Sequence, residues 1–246
     1  MRRADDRDPR NSAPARLTTV RNPAGELPTL AGNQGNCLAE NPHLELLPVA
    51  LYLGLALVFF WKIAFTGQVL SGYDTFAYFY PYFQSAADAV RQFRLPLWNP
   101  DVFMGAPLLA NLQMALFYPA TLLYFLLPVA TALSYDIILH VVLASFFTYA
   151  LARQMVGLGR AGALAAGICF GFSGFFAAQA GHINQLSAAV WLPLLLLLFD
   201  RAYRKRSITS LLLCGTVIGL TLLAGHTQET YMTLCALGGF FVWQSA

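Results

Sequence analysis

The stretch LLPVALYLGLALVFFWKIAF, from Leu46 to Phe65, decides the fold class of this chain. Lys62 is its only charged residue, and its roughly 20 residues are enough for a helix to cross the ~30 Å hydrocarbon layer of a bilayer. A cleaved secretory signal begins soon after the first basic residues and has a shorter apolar core. We therefore interpret this run as an uncleaved membrane anchor.

The composition of the whole chain also indicates a membrane protein. Of its 246 residues, 57% are hydrophobic and 11% are charged, whereas soluble domains carry about 25% charged residues. The expected fold is all-α: a polytopic transmembrane helical bundle with interfacial helices in the first outer loop. The predicted spans are residues 46–66, 134–153, 161–179, 186–200, 207–225 and 231–246. Because the last run reaches the final residue, we expect the chain to be the N-terminal part of a larger protein.

The first 44 residues differ from the rest. They are rich in Pro, Asn, Gly and charge, with six arginines in the first 21 positions, and this pattern predicts a disordered cytoplasmic tail. The net charge of +3 is too small to indicate a nucleic-acid partner. The cysteines show no short-range pairing pattern such as C-x-x-C, so neither a zinc site nor a disulfide framework is indicated. They are Cys37, Cys169, Cys214 and Cys235.

Basic residues decide how the ambiguous apolar run 115–133 is interpreted. The positive-inside rule places Lys and Arg mainly in cytoplasmic loops. If 115–133 crosses the bilayer, the basic residues of the later loops fall outside; if it is interfacial or re-entrant, they all fall inside with the tail. These residues are Arg153, Arg160, Arg201, Arg204, Lys205 and Arg206. We take the second option, which makes 67–133 an extracytoplasmic, interfacial loop within a transmembrane domain of residues 45–246.

Asp74 is the candidate catalytic residue of this loop. It follows Gly72 and Tyr73 a few residues beyond the first span, and a carboxylate at a membrane surface can serve as a general base. Asp is also a favoured helix N-cap, and the segment beginning at Thr75 is a plausible helix start. The two roles are compatible, and the sequence leaves both open.

Aromatic and basic residues of the same loop are candidates for substrate binding. Trp98 and Asn99 lie between two prolines and resemble a sugar platform, with an aromatic face to stack and an amide to bond hydroxyl groups; the alternative is an interfacial Trp anchor with a turn. Arg91 and Arg94 can bind a phosphate, either that of a substrate or those of surrounding lipids. Further candidates in this loop are Tyr73, Tyr80, Gln113 and Tyr118.

Two later loops echo one another and are predicted to lie on the same outer side as Asp74. They read Gly181-His182-Ile183-Asn184-Gln185 and Gly225-His226-Thr227-Gln228-Glu229. Both histidines can bond a phosphate or a hydroxyl group, and Glu229 is a second candidate acid or base; the alternative is polar helix ends that face water. Ligand spacing such as H-E-x-x-H is absent, so no metal ligand is predicted. The candidates here are His182, Asn184, Gln185, His226, Gln228 and Glu229.

Two ionisable residues are predicted inside a span. Asp136 and His140 are four residues apart and therefore share one helix face. Ionisable residues in membrane segments are functional suspects by default, although Asp136 lies near the outer end of its span, where water can reach it. Small residues between Gly162 and Gly174 indicate close helix packing.

Several motifs together resemble the YfhO-like family of bacterial membrane proteins, which is similar to the GT-C glycosyltransferases. In chain order they are Gly72-Tyr73-Asp74, Pro96-Leu97-Trp98-Asn99-Pro100, Gly105-Ala106-Pro107, Phe117-Tyr118-Pro119, Ser173-Gly174-Phe175, Trp191-Leu192-Pro193 and Gly225-His226-Thr227-Gln228. The resemblance covers roughly residues 46–246. In GT-C folds the first outer loop carries an acidic residue after the first span, and Asp74 matches that position.

The resemblance implies a multi-pass enzyme of the bacterial cytoplasmic membrane, with its N-terminus in the cytoplasm and lipid around it. It would take a sugar from a polyprenyl-phosphate carrier and transfer it to a cell-envelope glycopolymer or protein on the extracytoplasmic face. No divalent metal is required, because the phosphate can leave with the help of an arginine. The alternatives are a transporter or flippase of lipid-linked glycans, which needs polar or broken helices near the bilayer midplane, and a noncatalytic membrane scaffold.

Overall fold

The structure is a computed structural model that describes residues 42–70 and 72–246. Almost all of the predicted tail, residues 1–44, lies outside the described residues. The helices are α1 (Pro42–Phe59), α2 (Trp61–Phe65), α3 (Tyr80–Arg91), α4 (Leu122–Leu126), α5 (Val129–Gln154), α6 (Arg160–Gly171), α7 (Gly174–Gln179), α8 (Ile183–Ala189), α9 (Leu192–Lys205), α10 (Ile208–Leu223) and α11 (Thr227–Ser245). The predicted all-α class is confirmed.

Short elements complete the described part of the chain. A single π-helical turn, Thr75–Phe79, leads directly into α3, and two 3-10 turns occur at Leu112–Met114 and Pro119–Thr121. Two antiparallel strands of two residues each, β1 (Trp98–Asn99) and β2 (Ala106–Pro107), form a small hairpin in the first loop.

Three helical stretches are long and apolar enough to cross a membrane: Val129–Gln154, Arg160–Gln179 and Ile183–Lys205. The helices Leu47–Phe59 and Ile208–Leu223 are apolar but shorter. These stretches support the prediction of a membrane protein. The second and third are not straight rods, because α6 gives way to α7 near Ser173 and α8 gives way to α9 near Trp191.

The ambiguous run 115–133 does not form one long helix. It contains a 3-10 turn and then α4, which has five residues and therefore rises only ~8 Å. Leu127 is extended and Pro128 precedes the first turn of α5, as expected because proline disfavours helical geometry in the residue before it. No helix that ends before Val129 in this run is long enough to span a bilayer.

Helices α5 and α6 approach closely because glycines lie between them. A Cβ atom at Gly167 would lie 2.6 Å from the carbonyl oxygen of Ser145, and one at Gly171 would lie 2.9 Å from that of Val141. Helices in a membrane associate mainly through such backbone approach at small residues. Tyr52 of α1 reaches the same seam and donates a hydrogen bond to the Leu164 carbonyl over 3.2 Å.

Polar loops gather at one end of the bundle, which we call the loop end: residues 66–70, 72–128, 180–182 and 224–226. Thr75 Oγ1 donates to the Gly181 carbonyl over 3.3 Å. Gly225 has φ +82°, and a Cβ atom there would collide with the carbonyl oxygen of Leu112. The first loop therefore packs against both later turns.

Basic residues mark the opposite end of the bundle. Arg153 donates to the Leu158 carbonyl over 2.9 Å, and Arg201 donates to the side chain of Gln154. Arg204 pairs with the buried Asp200 over 2.6 Å.

Candidate functional site

Asp74 contacts a histidine from a distant part of the chain. Its Oδ2 lies 3.0 Å from Nε2 of His182, and both side chains are about half exposed, at 48% and 45%. Asp74 has helical backbone angles and makes no capping hydrogen bond. The alternative interpretation as a helix N-cap was therefore wrong, because the carboxylate contacts His182 in the loop 180–182 instead.

The hydrogen bonding of this pair leaves Asp74 able to accept a proton. His182 Nε2–H donates to Oδ2, and the buried Nδ1 atom has no partner among the described residues. The Nε2–H group therefore orients the Asp74 carboxylate, while Nδ1 faces no polar partner among the described residues. An exposed acid–histidine pair contributes at most about 1 kcal/mol to stability, so stability alone does not account for the contact.

A second polar contact extends the row of side chains along the loop end. His226 is the N-cap of α11, and its Nδ1 accepts from the Glu229 N–H over 3.3 Å. Its Nε2 lies 3.1 Å from the side-chain Nε2 of Gln185, and the tautomer of the ring decides which of the two nitrogens donates. The Gln185 N–H donates to the His182 carbonyl over 3.0 Å. Asp74 and His182 thus form one side-chain pair and Gln185 and His226 another, and the two pairs are joined through the backbone at the start of α8.

The structure does not bring the candidate arginines to Asp74. Arg91 ends α3 and donates to the Leu127 carbonyl over 2.7 Å, while Arg94 donates to the side chain of Gln92. The helical segment between Asp74 and Arg91 is continuous, so the two residues lie ~25 Å apart along its axis. A phosphate near Asp74 would meet the loop histidines rather than these arginines.

The Trp98–Asn99 pair divides into an exposed ring and a buried amide. Trp98 is 58% exposed, and its indole lies over Gly105, where a Cβ atom would be 2.6 Å from Nε1. Asn99 is buried, and its Oδ1 accepts from the Asp101 N–H over 3.0 Å. Asn99 therefore cannot offer its amide to a sugar, and the platform interpretation can apply only to Trp98.

Tyr118 belongs to a buried hydrogen-bond network rather than to a surface. Its hydroxyl lies 2.9 Å from Nε2 of His140 and accepts from Trp191 Nε1–H over 3.1 Å. His140 Nδ1–H donates to the Asp136 carbonyl over 2.8 Å, so its Nε2 accepts from the tyrosine. Tyr124 O–H donates to Asp136 Oδ2 over 2.8 Å. We refer to these five side chains as the buried network.

Burial has a direct effect on the two tyrosines of the buried network. Desolvation raises the pKa of Tyr118 above its usual range, although the hydrogen bond from Trp191 opposes the shift. Desolvation raises the pKa of Tyr124 as well, and the nearby Asp136 carboxylate adds to the rise. Asp136 is only 2% exposed, so the expectation that water reaches it was wrong.

The remaining candidates occupy different surroundings. Gln113 and Asn184 line a small cavity of about 10 Å³ beside the buried network, which is room for at most one water molecule. Tyr73 is exposed, Tyr80 is partly exposed at 38%, and Gln228 is exposed. Glu229 lines a separate apolar cavity among α6, α7, α8, α9 and α11.

Sequence reasoning missed Tyr124 and Trp191. The four-residue spacing of Asp136 and His140 was the available signal of a buried polar face, but the partners on that face come from other elements. Within the described residues, no three His, Cys, Asp or Glu side chains are placed to hold a metal ion. Comparison with protein-family models, with curated proteins and with solved structures found no match.

Proposed function

We propose that this protein is a GT-C-type membrane glycosyltransferase that moves a sugar from a polyprenyl-phosphate carrier to a cell-envelope glycopolymer or protein. The single observation that carries the proposal is the contact between Asp74 and His182 at the loop end. A half-exposed carboxylate oriented by an imidazole N–H is the arrangement that suits a general base. The proposal places the loop end on the extracytoplasmic face of a bacterial membrane.

The proposed reaction is a displacement with inversion at the anomeric carbon. The acceptor hydroxyl gives its proton to Asp74 Oδ1 while its oxygen forms a bond to the anomeric carbon. The bond from that carbon to the phosphate oxygen breaks, and the electron pair leaves with the polyprenyl phosphate. His182 acts as a positioning residue, because its Nε2–H holds Oδ2 and leaves Oδ1 for the acceptor.

The leaving phosphate needs a donor close to the anomeric carbon. His226 is the candidate donor, because its side chain contacts Gln185, whose backbone N–H donates to the His182 carbonyl. Arg91 and Arg94 serve better at the far end of α3, where they can hold lipid phosphates at the membrane surface. Trp98 offers an exposed ring on which a sugar can stack.

Replacing Asp74 with Asn tests the proposal. The amide keeps the shape of the side chain but cannot accept the proton, so sugar transfer should fall by at least 100-fold, a typical contribution of general-base catalysis. The assay incubates the protein in liposomes with defined polyprenyl-phosphate sugars and follows loss of the donor. Asp101→Asn is the matched control, because Asp101 is an exposed carboxylate of the same loop. Near-normal transfer by Asp74→Asn would exclude the base role.

The transporter alternative has one observation in its favour. Asp136 and His140 are ionisable residues buried in α5, the longest candidate span, and such residues often mark ion pathways. Uptake of a lipid-linked glycan by proteoliposomes without chemical change, abolished by Asp136→Asn, would favour transport. A protein that neither transfers nor transports, but binds a stable partner, would indicate a scaffold.

A further inference from the structure

An apolar cavity of about 200 Å³ lies beside the first turn of α11. Phenylalanine side chains of α6 and α7 form one wall, and side chains of α8, α9 and α11 form the others. Its lining includes Phe170, Phe175, Phe176, Leu192, Glu229 and Met232. Phe175 and Met232 are 43% and 55% exposed, so the cavity opens sideways on the surface of the bundle, between α7 and α11.

The rings of the aromatic wall are steeply inclined to one another. The ring of Phe176 lies 5.3 Å from that of Phe170 and 5.5 Å from that of Phe175, measured between centroids. Both pairs are steeply inclined, at 65° and 84°. Phe176 is 2% exposed, so the rings that a cation can reach are the partly exposed Phe170 and Phe175.

One carboxylate interrupts the apolar lining. Within the described residues, the side chain of Glu229 makes no hydrogen bond or ion pair, and its backbone N–H donates to His226. Its place in the first turn of α11 suits the helix dipole, which contributes about 0.3–1 kcal/mol. The dipole explains a negative charge at the helix start but not its exposure to an aromatic cavity, where a bare charge is costly.

We propose that this cavity binds an ammonium group carried on an apolar body. A positive charge offsets the unpaired Glu229 carboxylate more strongly than any neutral group, because the apolar walls lower the local dielectric. The phenylalanine faces add cation–π attraction, the chemistry by which aromatic cages hold substituted ammonium ions. The volume lies below the ~300 Å³ at which drug-sized sites begin, which suits a headgroup rather than a whole lipid.

Two sources can present this chemistry: the amine headgroup of a membrane lipid and a free amine in solution. The lipid arm uses native mass spectrometry of the delipidated protein with phosphatidylethanolamine or phosphatidylglycerol of identical acyl chains. The soluble arm compares the melting temperature in tetramethylammonium chloride and in sodium chloride at equal ionic strength. The inference does not rest on glycosyl transfer, so neither arm measures it.

The expected result in the lipid arm is at least fivefold tighter retention of phosphatidylethanolamine, or, in the soluble arm, a melting temperature raised by tetramethylammonium. Glu229→Gln should remove the effect, whereas Asp101→Asn should retain it although it loses the same charge. Phe175→Leu keeps apolar bulk and should weaken binding two- to fivefold. It also provides the test if the Glu229 variant does not fold.

The lipid and soluble arms distinguish the two sources when either effect is present. A preference seen only with phosphatidylethanolamine assigns the cavity to a lipid headgroup, and one seen only with tetramethylammonium assigns it to a soluble amine. Equal behaviour of amine and non-amine probes in both arms would overturn the proposal. So would an amine preference that Glu229→Gln or Phe175→Leu leaves unchanged.

Discussion

Replacing Tyr124 with Phe removes one oxygen atom from the buried network and keeps the aromatic ring. The ring stacks on Phe83 with centroids 3.9 Å apart, and that contact should survive. What is lost is the hydrogen bond of 2.8 Å to Asp136 Oδ2. The other oxygen of this carboxylate already lacks a hydrogen bond in the described part of the chain, although His140 Nδ1 lies 3.0 Å away.

The expected cost follows from the burial of the acceptor. Loss of a hydrogen bond to a charged group that stays buried without a replacement destabilises a protein by about 2–3 kcal/mol. For a chain of this size such a loss lowers the melting temperature by about 4–12 °C. Thermal unfolding of the purified protein in a mild detergent measures the change.

Two comparisons make this prediction refutable. Tyr80→Phe removes a hydroxyl group that is partly exposed and unbonded within the described residues, so it should change stability by less than about 0.5 kcal/mol. In a protein that already carries Asp136→Asn, the acceptor is neutral and Tyr124→Phe should cost only about 1 kcal/mol. If Tyr124→Phe destabilised the protein no more than Tyr80→Phe, the network would not hold the first loop to α5.

Two further predictions concern the loop end and the buried tyrosines. Gly225→Ala should cost about 1–3 kcal/mol in thermal unfolding, because alanine is strained at positive φ and its Cβ would strike the Leu112 carbonyl; Gly215→Ala, which meets nothing within 4 Å, should be neutral or stabilising. Stability should also fall as the pH rises above ~10, because Tyr118 and Tyr124 release their protons in the unfolded chain but retain them in the folded protein. The free energy of unfolding should decrease by up to ~1.4 kcal/mol per pH unit for each of these two tyrosines. A flat stability profile from pH 9 to 11.5 would contradict that prediction.

The helices could be predicted from the sequence because hydropathy acts locally. Run length alone indicates α5, which begins at Val129 although residues up to 133 were assigned to the preceding apolar run. We predicted that the polar loops lie at one end of the bundle because successive spans alternate in direction and because the arginines lie in the other loops. The structure places the same loops in contact through Gly181 and Gly225.

The partners within the site could not be predicted in the same way. Local spacing favoured a capping role for Asp74, whereas the contact with His182 depends on how two distant loops pack. Asn99 was interpreted as a free amide, but its side chain folds back on the next turn. In each case a short-range rule competed with a tertiary contact that has no signature in a single sequence.

The π-helical turn before α3 has a geometric consequence. Because it holds one residue more than the regular winding, it rotates Asp74 by ~100° about the helix axis from the direction that an uninterrupted α-helix before Tyr82 and Phe83 would give it. Deleting Ala77 from this turn would rotate the Asp74 carboxylate away from the His182 imidazole, while the buried apolar face of α3 would keep its position. The contact between Asp74 and His182 can therefore be lost through a one-residue deletion that replaces neither of these two side chains.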